Sequence, residues 1–511
     1  MSAWDRVKGW FRRDKRAAKR REYAGAKRSR RTSDWIAQGT SGNAELGLAL
    51  PLLRQRSRQA WRDDPHAKSS LSTLASYFSG VMPRSAIPIP VGASDAERER
   101  IEALNREVDD RHREWSRRCS SRGPGSYRGT QYQAVLGMLM SGETFTRRRI
   151  RRPGRLVVPM QLELLEGDLC DHTKSERLED GGWILQGIEH SPIGRVRAYH
   201  LYREHPGEST IGGLSFGSSL DTVAVPAAAV AHLYPEMLSR PQQVRGEPWL
   251  HANLQGLHDL AGYLDSERVR LRAAASFMGA VTTEEDITYP DEESEDDDHA
   301  AYSLNAIRDC NGDVVERVRP GEIVYLRGGQ TMTFNKPPSS DGFAEYVKTD
   351  LHTQAAGALM PYELYTGDLS DTNFSSIMFG MGSFKRFARR MVEDVVVARW
   401  ADPVWGWFVE AGRAAGSLPP EAGPVAWTVE PWPLVDPVKE ARGNQILVRS
   451  GAKSLRRWIA ETGEDPEEVL RDHESIARWA SDHGIVLDSI PTSATLAGQI
   501  QEGFGIDSDP E

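Results

Sequence analysis

The sequence predicts an α+β fold, because helical, strand-type and again helical spacing of apolar residues follow one another along the chain. Composition agrees with a folded protein: 39% of the residues are hydrophobic and 27% charged, a globular balance. The 511 residues suffice for about three domains and a large core.

The elements read in order as follows. Ala44 to about Arg122 is helical, and Asp95 serves as a cap for a segment in which Ile101, Leu104, Val108 and Trp115 recur near the 3.6 period. Pro83, Pro88 and Pro90 break the chain before it. After Gly123-Pro124-Gly125 a further helix holds Tyr132, Val135, Leu136 and Leu139. Strand patterns then take over at Gly142–Thr146, Leu156–Leu164, Trp183–Leu185 and Val196–Tyr202, with an arginine-rich turn after the first. A β-rich subdomain is therefore expected from about Gly142 to Tyr234. Helix returns from His251, where Leu254, Leu257, Ala261, Leu264, Leu271, Ala275 and Met278 keep a 3/4 spacing that Arg268 interrupts. Ile377, Met381, Phe384, Ala388, Met391, Val395 and Ala398 form a heptad stripe, predicting an unbroken helix to about Trp400 that stops before Pro403. After Pro419-Pro420 comes a short segment with Trp427 and Trp432. Two or three helices are expected between Asp436 and His483, and the end of the chain is polar.

Charge is unevenly placed. The chain is net −9, yet Met1–Arg31 carries +10, leaving −19 for the rest. Arg12, Arg13, Lys15, Arg16, Lys19, Arg20 and Arg21 head this basic arm and are candidate contacts to DNA or an acidic partner. Lys385, Arg386, Arg389 and Arg390 lie off the heptad stripe and form a second candidate ridge, either solvated or facing phosphate or a neighbouring subunit. From Glu284 to Asp298 ten of fifteen residues are acidic and none is Lys or Arg, which predicts an exposed loop because like charges at this density repel. The run has neither the glycine nor the alternate ligand positions of an EF-hand, so no metal site is expected.

The remaining signals argue against several function classes. Cys119, Cys170 and Cys310 are far apart, which excludes a disulfide framework and a zinc knuckle and fits a reducing compartment. No apolar run of 18 residues exists to span a membrane, and the charged N-terminus does not read as a secretory signal. Gly213-Leu214-Ser215-Phe216-Gly217 matches the nucleophile-elbow pattern, giving a serine hydrolase as the alternative reading. The residues after it do not read as the helix that the elbow needs. Ser450-Gly451-Ala452-Lys453 matches S-x-x-K, but its companion motifs are absent and Ser454 reads as a helix N-terminus. Without a phosphate-cradling loop or an H-E-x-x-H pair, the expectation is a non-enzymatic protein with no cofactor.

Ordered blocks then carry a resemblance. They are Tyr23-Ala24-Gly25 and Asp34-Trp35; Arg54–Arg58 with Asp63–Ala67; Gly142-Glu143-Thr144-Phe145; Leu162–Asp168; His232-Leu233-Tyr234; and Arg240–Leu250. Pro361–Leu364, Gly367–Ser370, Asn373–Ser376 and Trp432–Glu440 follow in the same order. In these blocks the chain resembles the lambda-type portal proteins of tailed bacteriophages. The acidic run and the strongly basic first 31 residues are less typical of that family.

The resemblance implies a portal-like protomer with a mixed α/β wing, long stem and inner-wing helices and an α-helical C-terminal crown. Its expected divisions are a basic arm at 1–33, a wing at 34–250, stem, clip and inner wing at 251–410, and a C-terminal crown region at 411–511. The clip falls at about 283–335 or 356–376. The implied assembly is a homo-oligomeric ring, usually a dodecamer, at one vertex of the phage head and built in the host cytoplasm. Its implied partners are major capsid and scaffold proteins, the terminase large subunit, head-completion and tail connectors, and double-stranded DNA passing non-specifically.

Overall fold

A computed structural model describes residues 30, 33–34, 39–208, 210–211, 214–215, 221–282, 307–308, 314–315, 322–326, 342–370, 374–432, 437–464, 466–485 and 487. It is a mixed helix and sheet fold. Contacts divide the chain into Met1–Glu45 and Leu46–Glu511. In the first unit, the Thr40 hydroxyl donates to Glu45 Oε1 at 2.6 Å where helix α1 (Gly42–Asp63) begins.

Helix starts follow side-chain chemistry. The Asp64 carboxylate accepts from the Ala67 N–H and Pro65 fills the first turn of α2 (Pro65–Phe78), where a missing N–H costs nothing. For α3 (Asp95–Ser116) the cap is Ser94, whose Oγ accepts from the Glu97 N–H. Asp95, expected as the cap, is instead the first helical residue, where its charge still suits the positive helix end. Ser126 caps α4 (Tyr127–Ser141), and Gly142 ends it in the left-handed region at φ 89° with its N–H on the Met138 carbonyl.

That glycine turns the chain into a hairpin. Strands β2 (Thr144–Ile150) and β3 (Met160–Glu166) pair antiparallel from Thr144↔Glu166 to Ile150↔Met160, and β11 (Val230–Leu233) adds to β2. A five-stranded sheet runs in the order β10-β7-β6-β5-β4, built from β4 (Glu176–Arg177), β5 (Trp183–Leu185), β6 (Ile188–His190), β7 (Val196–Tyr202) and β10 (Thr222–Pro226). Strand β1 (Val81–Ser85) pairs with the distant β16 (Val425–Val429). Short pairs complete the described strands: β8 (Thr210–Ile211) with β9 (Leu214–Ser215), β13 (Ile307–Arg308) with β14 (Val314–Val315), and β12 (Phe277–Thr282) parallel to β15 (Glu322–Leu326).

The long helices depart from expectation in three places. Helix α5 (Leu254–Ser276) buries Leu257 and Leu260, but Leu271 is 54% exposed, and Met278 belongs to β12. Its apolar stripe leaves the core halfway along. Helix α8 (Phe374–Arg390) follows α6 (Phe343–Gly357) and α7 (Tyr362–Thr366), and from Met391 to Ala401 the chain is a π-helix. The buried positions there are 391, 392, 395, 396, 400 and 401, a spacing wider than a heptad, and Ala398 faces solvent. The chain also does not stop before Pro403. Helix α9 (Asp402–Ala414) continues directly because Pro403 occupies its first turn, where no N–H is required. Three helices, α10 (Pro437–Arg449), α11 (Leu455–Glu461) and α12 (Pro466–Asp482), follow β16.

Buried tryptophans join these elements. An indole combines a large apolar surface with one donor that needs a partner. Trp115 donates to the Met160 carbonyl (2.7 Å), Trp249 to that of Ala358 (2.8 Å), Trp400 to Thr146 Oγ1 (2.9 Å) and Trp407 to the Ala228 carbonyl (2.8 Å). Each ties a helix or loop to a segment far away in sequence. His112 sits among Trp115, Tyr127, Trp405 and Phe408, and burial pushes its imidazole down to about 3, so it packs as a neutral ring.

Candidate functional site

The basic arm, including Arg12, Arg13, Lys15, Arg16, Lys19, Arg20 and Arg21, lies outside the described residues, as does the acidic run 284–298. The second ridge is described. Lys385, Arg386, Arg389 and Arg390 project from α8, and among the described residues none has a hydrogen-bonded or ion-paired partner. Lys385, Arg386 and Arg389 line a groove of about 760 Å³ whose other wall includes Trp427, Trp432 and Arg457. Glu393, Glu430 and Glu461 also line it, so the groove is mixed in charge.

Neither catalytic pattern is assembled. Leu214-Ser215 forms β9, hydrogen-bonded to β8, and the next described element is strand β10 instead of a helix. Lys453 donates to Asn444 Oδ1 at 2.8 Å and pairs with Glu461, while Ser454 Oγ accepts from the Arg457 N–H as the α11 cap. The S-x-x-K segment is thus a helix-to-helix turn with its lysine already engaged.

The most concentrated chemistry is a buried ion cluster that reasoning from spacing missed. Glu143, immediately after the Gly142 turn, is fully buried. Its Oε1 accepts from Arg54 of α1 and from Arg245 Nε at 2.7 Å. Its Oε2 accepts from His232 Nε2 of β11 at 2.8 Å and from the Gly246 N–H at 3.3 Å. Arg245 also donates to the carbonyls of Gln186 (2.6 Å) and Gly167 (3.0 Å), and Arg54 donates to that of Ser141 (3.0 Å). Burial pushes the Glu143 carboxyl up, but Arg245 and Arg54, with the His232 hydrogen bond, outweigh it and hold it below the ordinary carboxylate range. Burial holds the His232 imidazole below its usual value, only partly offset by Glu143. The ring is therefore neutral and donates to an ionised carboxylate. Its other face stacks on Phe145 at 4.4 Å between centroids.

Asp168 extends the cluster outward. Arg58 pairs with it, and Arg54 lies 3.6 Å away. Burial raises its carboxyl, but those two arginines bring it below its ordinary value. Asp168, Glu166 and His205 are close enough together to share a cation. Arg58 reaches both carboxylates, so a metal ion would have to displace a guanidinium. The donor set is already answered by charge.

Five of the blocks that carried the resemblance meet here. Arg54 and Arg58, Gly142–Phe145, Leu162–Asp168, His232–Tyr234 and Arg240–Leu250 all contribute to this cluster or to its immediate packing.

The family described as "Phage portal protein, lambda family" matches residues 28–391. A "Probable portal protein" of Halomonas phage phiHAP-1 is 25% identical over 480 residues, covering 90% of this chain and 87% of the relative. Among solved structures, the chain is similar to one from the neck of an empty gene transfer agent particle computed with C6 symmetry (TM-score 0.38, 14% identity, 84% of this chain and 95% of that one). It is also similar to one from the native neck computed with C12 symmetry (TM-score 0.37, 15% identity, 82% and 91%).

Proposed function

Because the chain belongs to the lambda family of phage portal proteins, whose match spans residues 28–391, we propose that it forms the ring at one head vertex through which double-stranded DNA is packaged and ejected. That family match is the observation that carries the reading. On this proposal the chain is a non-enzymatic assembly protein of the virion. Its ring is a dodecamer on which the terminase large subunit and the tail connectors dock, within a shell of capsid and scaffold proteins. Residues 34–250 supply the wing, 251–410 the stem, clip and inner wing, and 411–511 the crown.

Two physical features support it. Large apolar side chains remain uncovered in this single chain: Leu48 on α1 is 92% exposed, Phe379 on α8 84% and Leu271 on α5 54%. Helices with uncovered apolar faces suit burial against further copies, and a head-to-tail interface closes into a ring when its rotation closes. The chain beyond residue 31 is net −19, which suits a passage that lets DNA slide. Lys385, Arg386, Arg389 and Arg390 then serve as a ridge toward a neighbouring subunit or DNA. The basic arm, +10 on an acidic body, acts as an assembly tether.

Negative-stain microscopy of the purified protein tests the ring. Closed rings are expected, and a monodisperse monomer at micromolar concentration overturns the proposal. Deleting residues 1–31 should leave rings intact and reduce their incorporation into heads. Normal incorporation would make the arm a solubility tail.

A further inference from the structure

We propose that the end of the β2–β3 hairpin, with the loop after α3, is a binding surface for the phosphate backbone of double-stranded DNA. The inference rests on the reading that DNA is what a ring of this chain handles, and it concerns arginines outside the arm and the α8 ridge. Arg151, Arg152 and Arg155 lie exposed in the turn of the hairpin, and Arg117, Arg118 and Arg122 lie exposed in the loop after α3.

The fold fixes these two segments side by side. The Leu162 N–H of β3 donates to the Cys119 carbonyl at 2.6 Å, and the Ser121 N–H returns to the Leu162 carbonyl at 2.9 Å, so the loop runs along the hairpin. Gln161 then ties both. Its Nε2 donates to the carbonyls of Arg118 (3.0 Å) and Ser120 (2.8 Å), and its Oε1 accepts from Arg151 Nε at 2.8 Å. Arginines further down the hairpin are neutralised, Arg148 by Glu410 and Arg149 by Glu163. Among the described residues none of the six in the patch pairs with a carboxylate. The loop is tied to β3 while the charge is left uncompensated.

The chemistry of the patch favours phosphate over an acidic protein surface. Every cation in it is a guanidinium, whose planar fork donates to two phosphate oxygens at once. Protein interfaces centre on aromatic and apolar anchors. Here Ile150, 61% exposed, is the large apolar side chain on offer, and its neighbours are Pro153 and Gly154. A ring repeats the patch around its axis, so DNA meets several copies.

The test is a titration of the full-length protein with a labelled non-specific duplex between 50 and 200 mM salt, with rings checked by negative stain in each sample. Arg151, Arg152 and Arg155 are changed to Ala in one variant, and Arg117, Arg118 and Arg122 in another. A third carries Arg→Lys at all six positions. Three lost phosphate contacts should flatten the salt slope by roughly 2.7 for each subunit engaged, at ~0.9 per phosphate. Between those salt concentrations the wild type should therefore lose roughly forty-fold more affinity than either Ala variant for one engaged subunit, and correspondingly more when several engage. The Lys variant should keep the slope and bind more weakly. The basic arm is common to all samples and drops out of the differences. Wild-type affinity and slope in Ala variants that still form rings would overturn the inference. So would an unchanged DNA titration alongside lost binding of a synthetic 284–298 peptide, which would assign the patch to an acidic protein segment. Absence of rings in the wild type defeats the portal proposal instead, and the DNA titration still decides the patch.

Discussion

Glu143→Gln removes one negative charge at almost constant volume, so its effect isolates the electrostatics of the buried cluster. In the wild type two guanidinia, Arg54 and Arg245, are 1% and 0% exposed and share the Glu143 carboxylate. An amide keeps one acceptor and turns the other oxygen into a donor. If the carbonyl stays with the arginines, the NH2 faces the Gly246 N–H, which then loses its acceptor at 3.3 Å. His232 can answer by changing tautomer, but the backbone N–H cannot. Asp168, 3.6 Å from Arg54, becomes the nearest anion to that arginine, and Arg245 keeps only carbonyl partners. Removing one partner of a buried pair costs about 3–5 kcal/mol, because the other charge is left buried. The assay is urea denaturation followed by tryptophan fluorescence, with Asp180→Asn as the control. Asp180 pairs with Arg197 at the surface, where both are more than 40% exposed, and its loss should leave the midpoint unchanged. The pH dependence has a definite sign. The Glu143 carboxyl is held below its ordinary value, so its contribution is complete above about pH 4.3 and is lost as pH falls below that through the folded value. The gap between wild type and Glu143→Gln should narrow in the same window. A loss under about 1 kcal/mol at pH 7 would refute the cluster as a structural anchor, because that is the range of exposed pairs.

Two further outcomes follow from the same region and from the aromatic core. Gly142→Ala should destabilise by more than the ~1 kcal/mol of a left-handed alanine, because its Cβ would stand 2.5 Å from the Gly246 carbonyl oxygen. Gly154→Ala, also at positive φ but with open space around it, should show the backbone cost alone, so equal midpoints for the two variants would contradict the packing described. His112 stays neutral down to about pH 3 in the folded chain, against an ordinary value near 6.5, so it withdraws stability as pH falls from about 6.5 toward 3. His112→Phe should flatten the midpoint-versus-pH curve in that interval, and an unchanged curve would place the acid sensitivity elsewhere.

What the sequence made legible was local. The heptad spacing of Ile377, Met381, Phe384, Ala388 and Met391 gave a helix with Phe384, Ala388 and Met391 in the core. It failed at Ala398 because a π-helix widens the turn, and nothing in a list of apolar positions records a change in hydrogen-bond pattern. Pro403 reads as a stop in the sequence, but a proline at a helix start and one at a helix end look alike until the residues before it are placed. Ser94 and Asp95 are hard to tell apart in the sequence because both are good caps and stand next to each other. The buried cluster was illegible for a different reason. Arg54, Glu143 and Arg245 are 89 and 102 residues apart along the chain, and charged residues at such positions read as surface. The signal available was indirect: Gly142-Glu143, Gly167-Asp168 and Arg245-Gly246 each set a charge beside a glycine, as a close backbone approach requires.

The two kinds of charge in this chain therefore have different work. Buried charges select among neighbours: Glu143 accepts from α1, from β11 and from the segment after Tyr234 at once, and no apolar side chain could fix all three in one register. Replacing such a cluster with apolar residues can leave stability unchanged, so its value lies in specifying the arrangement. Five of the blocks that resemble portal proteins surround this point, which has no access to solvent. Exposed charges have the opposite freedom. The arginines at the hairpin end and on α8 are exposed and, apart from the Arg151 bond to Gln161, hold no neighbour in place, so substitutions there can alter what the surface meets with little effect on the fold. On the portal proposal, a search for contacts to DNA should accordingly begin at uncompensated surface arginines, and treat the motif residues around Glu143 as the frame that presents them.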